Sequence, residues 1–301
     1  MTTVSQAPAA TTAPPRFEGL RRFSRQFAAS PTAMAGLVIL LAITVLALVA
    51  PLFIPQTALE VVNATGRSLA PPSAHFPLGT DQAGRSVLTL LIWGTRPSLA
   101  IGVIATGFTM IIGTAIGLIA GHYPGATGRL LMMVTDWFIA LPGLPLAIAL
   151  AAVLGQGDSS ITIAIAVTSW PGTARLIRAQ TLAVEARPYI ERAKALGARD
   201  TQLVIRQVLP NVAPFVLVSA TLTVAGAILS ETTLTFLGLG NPTDVSWGSM
   251  INQAFNQGAV SDGAWWYLLP PGIAIVIVVM GFMLVGRAVE NILNPRLTSP
   301  S

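Results

Sequence analysis

Glu185-Ala-Arg-Pro-Tyr-Ile-Glu-Arg-Ala-Lys-Ala-Leu-Gly-Ala-Arg-Asp-Thr-Gln-Leu-Val-Ile-Arg-Gln-Val-Leu-Pro-Asn211 is a polar island in a chain otherwise built from apolar runs. Between Arg175 and Arg206 lie seven of the 17 basic residues, among them Lys194, the only lysine. Ile190, Ala193 and Leu196 fall three apart, while Arg187, Glu191, Arg192 and Lys194 take the other faces. That spacing predicts a short amphipathic helix. Pro188 suits its first turn, and Gly197 suits the left-handed position that ends a helix without a Cβ penalty. A second helix is expected with Asp200 as N-cap, Leu203, Val204 and Val208 as its apolar stripe, and Pro210 as its stop. The segment 185–211 reads as helix, glycine corner and helix projecting from a membrane. A loop held by anionic lipid headgroups would have this charge. An apolar stripe interrupted by one glycine favours docking into a partner's groove.

The rest of the composition identifies the solvent. Of 301 residues, 53% are hydrophobic and 10% are charged, with mean hydropathy +0.70, whereas soluble domains carry about 25% charged residues. The chain is read as an integral membrane protein. A formal charge of +5 and a pI near 10.7 do not point to nucleic acid, because the basic residues flank apolar spans and form no stripe with aromatics. With no cysteine there is no disulfide framework, thiolate metal site or cysteine nucleophile, and no sign of redox compartment.

In chain order, residues 1–15 are rich in Thr, Ala, Pro and Ser and are expected to form a disordered tail. Arg16, Arg21, Arg22 and Arg25 with Phe17, Leu20, Phe23 and Phe27 predict a short helix on the membrane surface, so 1–33 is tail and surface helix. A transmembrane domain over 34–290 is predicted, with spans at about 34–54, 98–120, 130–154, 161–180, 212–234 and 267–286, and a tail over 291–301. The first span is longer and later than the apolar region of a signal peptide. In the second, Gly102, Gly107, Gly113 and Gly117 permit close helix approach. Two polar connectors, 55–96 and 238–266, complete the layout, and nothing between spans is long enough for a soluble core.

With six spans, only Arg67, Arg85 and Arg96 of the 17 basic residues fall on the side opposite the termini. The positive-inside rule then puts both termini and the 185–211 loop in the cytoplasm. The expected fold class is all-α integral membrane, with six transmembrane helices in the cell (plasma or inner) membrane.

Glu191-Arg-Ala-Lys-Ala-Leu-Gly197 followed by Pro210 resembles the EAA loop of ATP-binding-cassette (ABC) importer permeases, with Glu191, Ala193 and Gly197 at the named positions. Arg192 stands where a second Ala would be and Gln207 where Ile is usual. Over about 20–297 the chain is similar to the C-type permease subunit of dipeptide and oligopeptide importers. The carriers are Pro77-Leu-Gly-Thr-Asp81 with Gly84-Arg85, then Asp136, Pro142, Trp170, Ala174-Arg175 and Arg178. Tyr189 through Asn211, Glu231 through Gly240, Ser246-Trp-Gly248 and Asn294-Pro295-Arg296 follow. Gly286-Arg287 and Asn294 depart from acidic residues common there, and no function is assigned to them.

The resemblance implies a type I ABC importer permease fold with a cytoplasmic EAA coupling helix. Tyr189, Glu191, Ala193, Leu196, Gly197 and Pro210 would engage the groove of an ATPase subunit. It also implies a second (B-type) permease subunit, one or two ABC ATPase subunits carrying ATP and Mg, and an extracytoplasmic peptide-binding protein. That protein would dock around Leu78 to Ser86 and Gly240 to Trp266, at Gly79, Asp81, Arg85, Trp247 and Gly248. Permeases of this kind serve dipeptides, longer peptides, nickel chelates and other small solutes.

The residues themselves agree that the fuel is elsewhere: a P-loop needs a lysine after a glycine-rich turn, and Lys194 sits in an amphipathic helix. Asp136, about two turns into span three, is either a gate or inter-helix lock, or a structural partner for an arginine, and its depth favours the second. Glu231, near the outer end of span five, lines the path or meets a peptide amino group on one reading and faces water at a helix end on the other. His75 and His122 lack companion ligands at metal spacing and read as polar connector residues. Pro142, Pro145 and Pro171 are expected to bend spans, and Trp265 and Trp266 suit an interfacial aromatic belt. No nucleophile motif supports a membrane enzyme, and few intramembrane carboxylates support an ion-driven transporter.

Overall fold

The computed structural model describes residues 16–293; the predicted tail at 1–15 and the Asn294-Pro295-Arg296 end lie outside the described residues. Helix α1, Arg16–Ala29, is the predicted leader helix. It meets α2, Pro31–Phe53, at Ser30, whose side chain accepts from the Ala33 N–H while Pro31 fills the first turn. Both devices satisfy the start of a helix without intrahelical partners.

The second span is longer than its apolar run. Helix α3, Val87–His122, extends over 36 residues because Ser86 caps it at the Thr89 N–H, well ahead of Ser98. The third span is not one helix but two, α4, Ala126–Ala140, and α5, Gly143–Leu154, bent by 91°. Proline at 142 disfavours the helical region for Leu141, which is extended at ψ 137°, and it lacks the N–H needed to continue the ladder.

The remaining elements are α6, Asp158–Glu185; α7, Pro188–Ala195; α8, Asp200–Leu203; a π turn, Val204–Val208; α9, Leu209–Phe236; α10, Trp247–Asn256; and α11, Trp265–Leu293. Among the described residues, four helices are long and apolar enough to cross a membrane, or five spans if the bent pair counts as one. The predicted fourth span, α6, has the length but not the apolarity, since it carries Asp158, Arg175 and Arg178. It packs between α3, α5 and α9, so neighbouring helices rather than lipid cover much of its surface.

Helix α3 is the centre of the packing, touching α6 and α9 most extensively. Its approach to α6 is set by three glycines. A Cβ at Gly113 would stand 2.7 Å from the Thr173 Cβ, one at Gly117 2.6 Å from the Ala174 carbonyl, and one at Gly121 2.6 Å from the Thr181 Cβ. Small residues are what let helices touch in lipid, where apolar surface alone gives no drive to associate. Gly107, by contrast, faces open space. Three apolar clusters stack along the bundle. One contains Trp247, Met250 and Tyr267, a middle one Ala105, Ala147 and Ile165, and one at the 185–211 end Leu118, Ile177 and Ile190.

Replacing Gly117 by Leu is therefore expected to destabilise the bundle by about 1–3 kcal/mol through overpacking, while Gly107→Leu leaves stability unchanged. Thermal unfolding of the two purified variants in detergent checks this contrast.

Candidate functional site

The segment 185–211 forms the predicted knuckle, with two local corrections. Arg187 caps α7 in an extended conformation and Pro188 fills the first turn. At the other end the Ala198 N–H donates to the Ala193 carbonyl at 3.1 Å and the Gly197 N–H to Lys194 at 3.0 Å. These are the paired bonds of a Schellman corner, which requires the left-handed φ of +83° that Gly197 adopts. The expected N-cap Asp200 is instead the first helical residue, and Arg199 occupies the cap. Nor does Pro210 stop the second helix: Asp200–Phe236 runs on as one span. The π turn at Val204–Val208 widens the backbone just ahead of Pro210, where the Leu209 N–H reaches back to the Val204 carbonyl. An inserted residue of this kind accommodates a proline that would otherwise break the ladder.

The apolar stripe of α7 divides. Ile190 is fully buried among Leu118, Ile177, Val184, Val208 and Val212, and so pins the short helix to α3, α6 and α9. Leu196 at the corner is 88% exposed and Tyr189 40%. Glu191, Lys194 and Gly197 also face outward, and Ala193 is half-buried.

A polar cluster that local sequence reasoning misses holds the same segment. His122, read from sequence as a connector residue, is the last residue of α3 and is buried. Its Nδ1 lies 2.6 Å from Glu185 Oε1, at the end of α6, and its Nε2 3.6 Å from Asp200 Oδ1. Lys194 of α7 donates to the other Glu185 oxygen at 2.7 Å, and the Tyr123 hydroxyl donates to Asp200 at 3.4 Å. Glu185 lies five residues past the predicted end of the membrane span. Burial alone would raise its pKa, but hydrogen bonds from Lys194 and His122 outweigh this and hold it below the ordinary value of 4.5. Among the described residues, no group of His, Asp and Glu has the geometry of a metal site.

The intramembrane carboxylates have distinct surroundings. Asp136 Oδ1 accepts from Arg175 Nη2 at 2.6 Å, linking α4 to α6, with both side chains more than half exposed. Beside them Phe138 meets Trp170 edge-on. Glu231, read from sequence as lining a path or facing water at a helix end, is fully buried at 0% exposure. It accepts from Thr235 at 3.2 Å and Thr232 at 3.4 Å, with Ser98 and Ser246 beside it. Here the middle of α3, the end of α9 and the start of α10 meet.

Of the five residues expected on a docking surface, Gly79, Asp81, Trp247 and Gly248 are buried and Arg85 is part-buried. Asp81 is 1% exposed and takes the Arg85 N–H and Nε, each at 2.7 Å. Arg85 also donates to the Leu59 carbonyl and to Gln253, whose side-chain oxygen accepts from Tyr267 as well. Gly79 lies under Trp266, at a positive φ of 67°. Trp247 is buried, donating from its backbone to Ser98 and from its indole to the Leu91 carbonyl, and Gly248 sits against the Thr232 carbonyl. These residues build the cap of the bundle rather than its outer surface, because their polar groups are already used within the chain. Helix α10, expected only as connector, begins with a capping box of Ser246 and Ser249. That pair, followed by Met250, Ile251 and Ala254, was a local signal for the helix.

Residues 113–299 match the family described as binding-protein-dependent transport system inner membrane component. The chain belongs to this family of ABC importer permeases. Residues 20–72 match a second description, the N-terminal transmembrane domain of oligopeptide transport permease C, which makes this permease a C-type subunit. It is 38% identical to the di/tripeptide transport system permease protein DppC of Pseudomonas aeruginosa, covering 92% of each chain. It is 36% identical to the glutathione transport system permease protein GsiD of Pectobacterium atrosepticum, over 93% of this chain and 90% of that one. To the oligopeptide transport system permease protein OppC of Lactococcus lactis it is 33% identical, over 88% and 90%. Its fold is similar to a chain of the MetNI methionine ABC transporter in inward-facing conformations, with a TM-score of 0.56 at 21% identity, covering 67% of this chain and 96% of that one. The permease therefore has the type I importer fold, is multi-pass, and works with ATPase and membrane-associated partners.

The lowered pKa of Glu185 fixes the sign of an acid effect. Its stabilisation is fully present above the ordinary value of 4.5 and is lost as pH falls through the lowered folded-state value. The gap in melting temperature between the unaltered permease and Glu185→Gln is expected to be widest near neutrality and to close in acid; a gap independent of pH contradicts the pairing.

Proposed function

We propose that this chain is one permease half of an ATP-driven importer of dipeptides or oligopeptides, with 185–211 as its cytoplasmic coupling loop. One observation carries the reading: α7 is anchored inward by Ile190 while Leu196 and Tyr189 stand exposed in a polar setting. Exposed apolar side chains on a rigid corner suit a partner's groove. Glu191, Ala193, Gly197 and Pro210 shape that corner and its return into the membrane. The groove belongs to one or two ABC ATPase subunits, which bind the ATP and Mg that this chain has no P-loop to hold.

The segregation of basic residues supports cytoplasmic termini. The Asp136–Arg175 pair supports a position for the path, since two exposed charges are costly against hydrocarbon. It faces the water-filled route between this chain and a second, B-type permease, and α4 and α6 line that route. An extracytoplasmic peptide-binding protein docks on the opposite end, over exposed residues such as Arg67, Gln82, Thr243 and Asp244, above the interior network of Asp81, Arg85 and Trp247. The peptide substrate is supported by the relatives' names. Closure of the ATPase pair then moves the helices as rigid bodies and alternates access to the route.

Isolation from the native membrane should recover the chain with a second permease, ATPase subunits and a peptide-binding protein; transport by the lone chain under an ion gradient would overturn the reading. A Cβ-bearing residue in the left-handed conformation costs roughly 1–2 kcal/mol. Gly197→Val is accordingly expected to leave the protein inserted and the ATPase active while peptide uptake per ATP falls on the order of tenfold. Uptake at the unaltered rate would remove the corner from the coupling mechanism.

A further inference from the structure

One titratable cluster, built around a buried histidine, has no part in that mechanism. The His122 side chain is 3% exposed, and its two ring nitrogens face carboxylates from different elements, Glu185 at 2.6 Å and Asp200 at 3.6 Å. Glu185 ends α6, whereas Asp200 begins α8 on the far side of the glycine corner. The second Glu185 oxygen is held by Lys194 from α7. Tyr123 packs edge-on against the ring, with centroids 4.6 Å apart, and its hydroxyl donates to the same Asp200. One imidazole thus stands where α3, α6, α7 and α8 meet. Ile190 supplies an apolar pin on one side of the corner only, and Leu203 does the same on the other side. Neither apolar contact fixes the angle of the corner, because dispersion contacts are non-directional, whereas the hydrogen bond between the planar ring and Glu185 constrains direction and the ring's other nitrogen lies at ion-pair distance from Asp200.

We propose that His122 is a positioning residue for the coupling loop. By engaging Glu185 and Asp200 together it fixes the angle at which α7 and α8 stand on the α3–α6 pair. A push on the exposed corner then moves the bundle instead of flexing the loop. The two nitrogens of one imidazole ring face both carboxylates at once. Glutamine, with one amide group, cannot reach in both directions. This role rests on the docking reading of the loop and adds to it a specific residue outside the loop.

The test uses the complete importer, reconstituted in lipid, with nitroxide labels at Gly107→Cys and Arg199→Cys. Both positions are exposed and the chain has no cysteine of its own. In the otherwise unaltered protein the distance distribution between the labels is expected to be narrow and to shift when ATP is added. With His122→Gln the distribution should broaden and the ATP-driven shift should be lost, while co-isolation of the subunits stays unchanged. Asp200→Asn, altering a side chain that is 58% exposed, should broaden the distribution too, and the double variant should be no worse than His122→Gln because both act through one ring. A folded His122→Gln importer with a narrow distribution and a full shift overturns the role of His122. If that variant does not assemble, an unchanged distribution in Asp200→Asn overturns it equally. Absence of any ATP-driven shift in the unaltered importer would instead count against the docking reading itself.

Discussion

The structure depends on how closely α3 can lie against α6. Along Gly113, Gly117 and Gly121 there is no room for a methyl group, and each position meets a threonine side chain or a backbone carbonyl of the facing helix. In lipid such a contact is held by packing rather than by expulsion of water. Once α6 is enclosed by α3, α5 and α9, it can keep buried Ser160, Thr162, Thr173 and Thr181, which would be unfavourable on a lipid-facing surface. The same approach brings the ends of the two helices together, so that His122 and Glu185 meet.

From that junction the knuckle inherits its stiffness. A helix of eight residues has little stability alone, and α7 is held by Ile190 in the apolar cluster and by Lys194 on Glu185. Beyond the corner, the chain returns into the bundle through a π turn without interruption. A part attached to α3, α6 and α9 at once, yet presenting Leu196 and Tyr189 outward, suits the transfer of motion between a motor and rigid helices. At the other end of the bundle, Glu231, Ser98 and Trp247 lock α10 to α3 and α9, and Arg85 ties the first connector to Gln253 of α10. Helix α3 therefore joins the two ends physically.

What the sequence discloses is local. The apolar run of α2, the proline at the start of α7, the glycine at its end and the leader segment each depend on residues within a turn or two, and a helix or a helix end stands at each. Pro142 is legible as a bend, though not as a 91° break. Pro210 misleads because a π turn, invisible in hydrophobic periodicity, absorbs it. The connector motif around Gly79, Asp81 and Arg85 announces a special role but not a direction. Whether Asp81 faces a partner or Arg85 depends on where Leu59 and Gln253 arrive, the latter 168 residues from Arg85. The burial of Glu231 and His122 is hidden for the same reason: a carboxylate near a helix end and a histidine after an apolar run give no sign of the distant elements that close over them.

Leu196 offers the most direct access to the central claim, that the knuckle meets a motor on the cytoplasmic side. With no native cysteine in the chain, Leu196→Cys can be probed with a membrane-impermeant maleimide in sealed vesicles of each orientation. A cytoplasmic docking corner predicts labelling only from the cytoplasmic face, and shielding of the same thiol once ATPase subunits are bound. Labelling only from the outside would contradict it, because no cytoplasmic ATPase could then reach the corner.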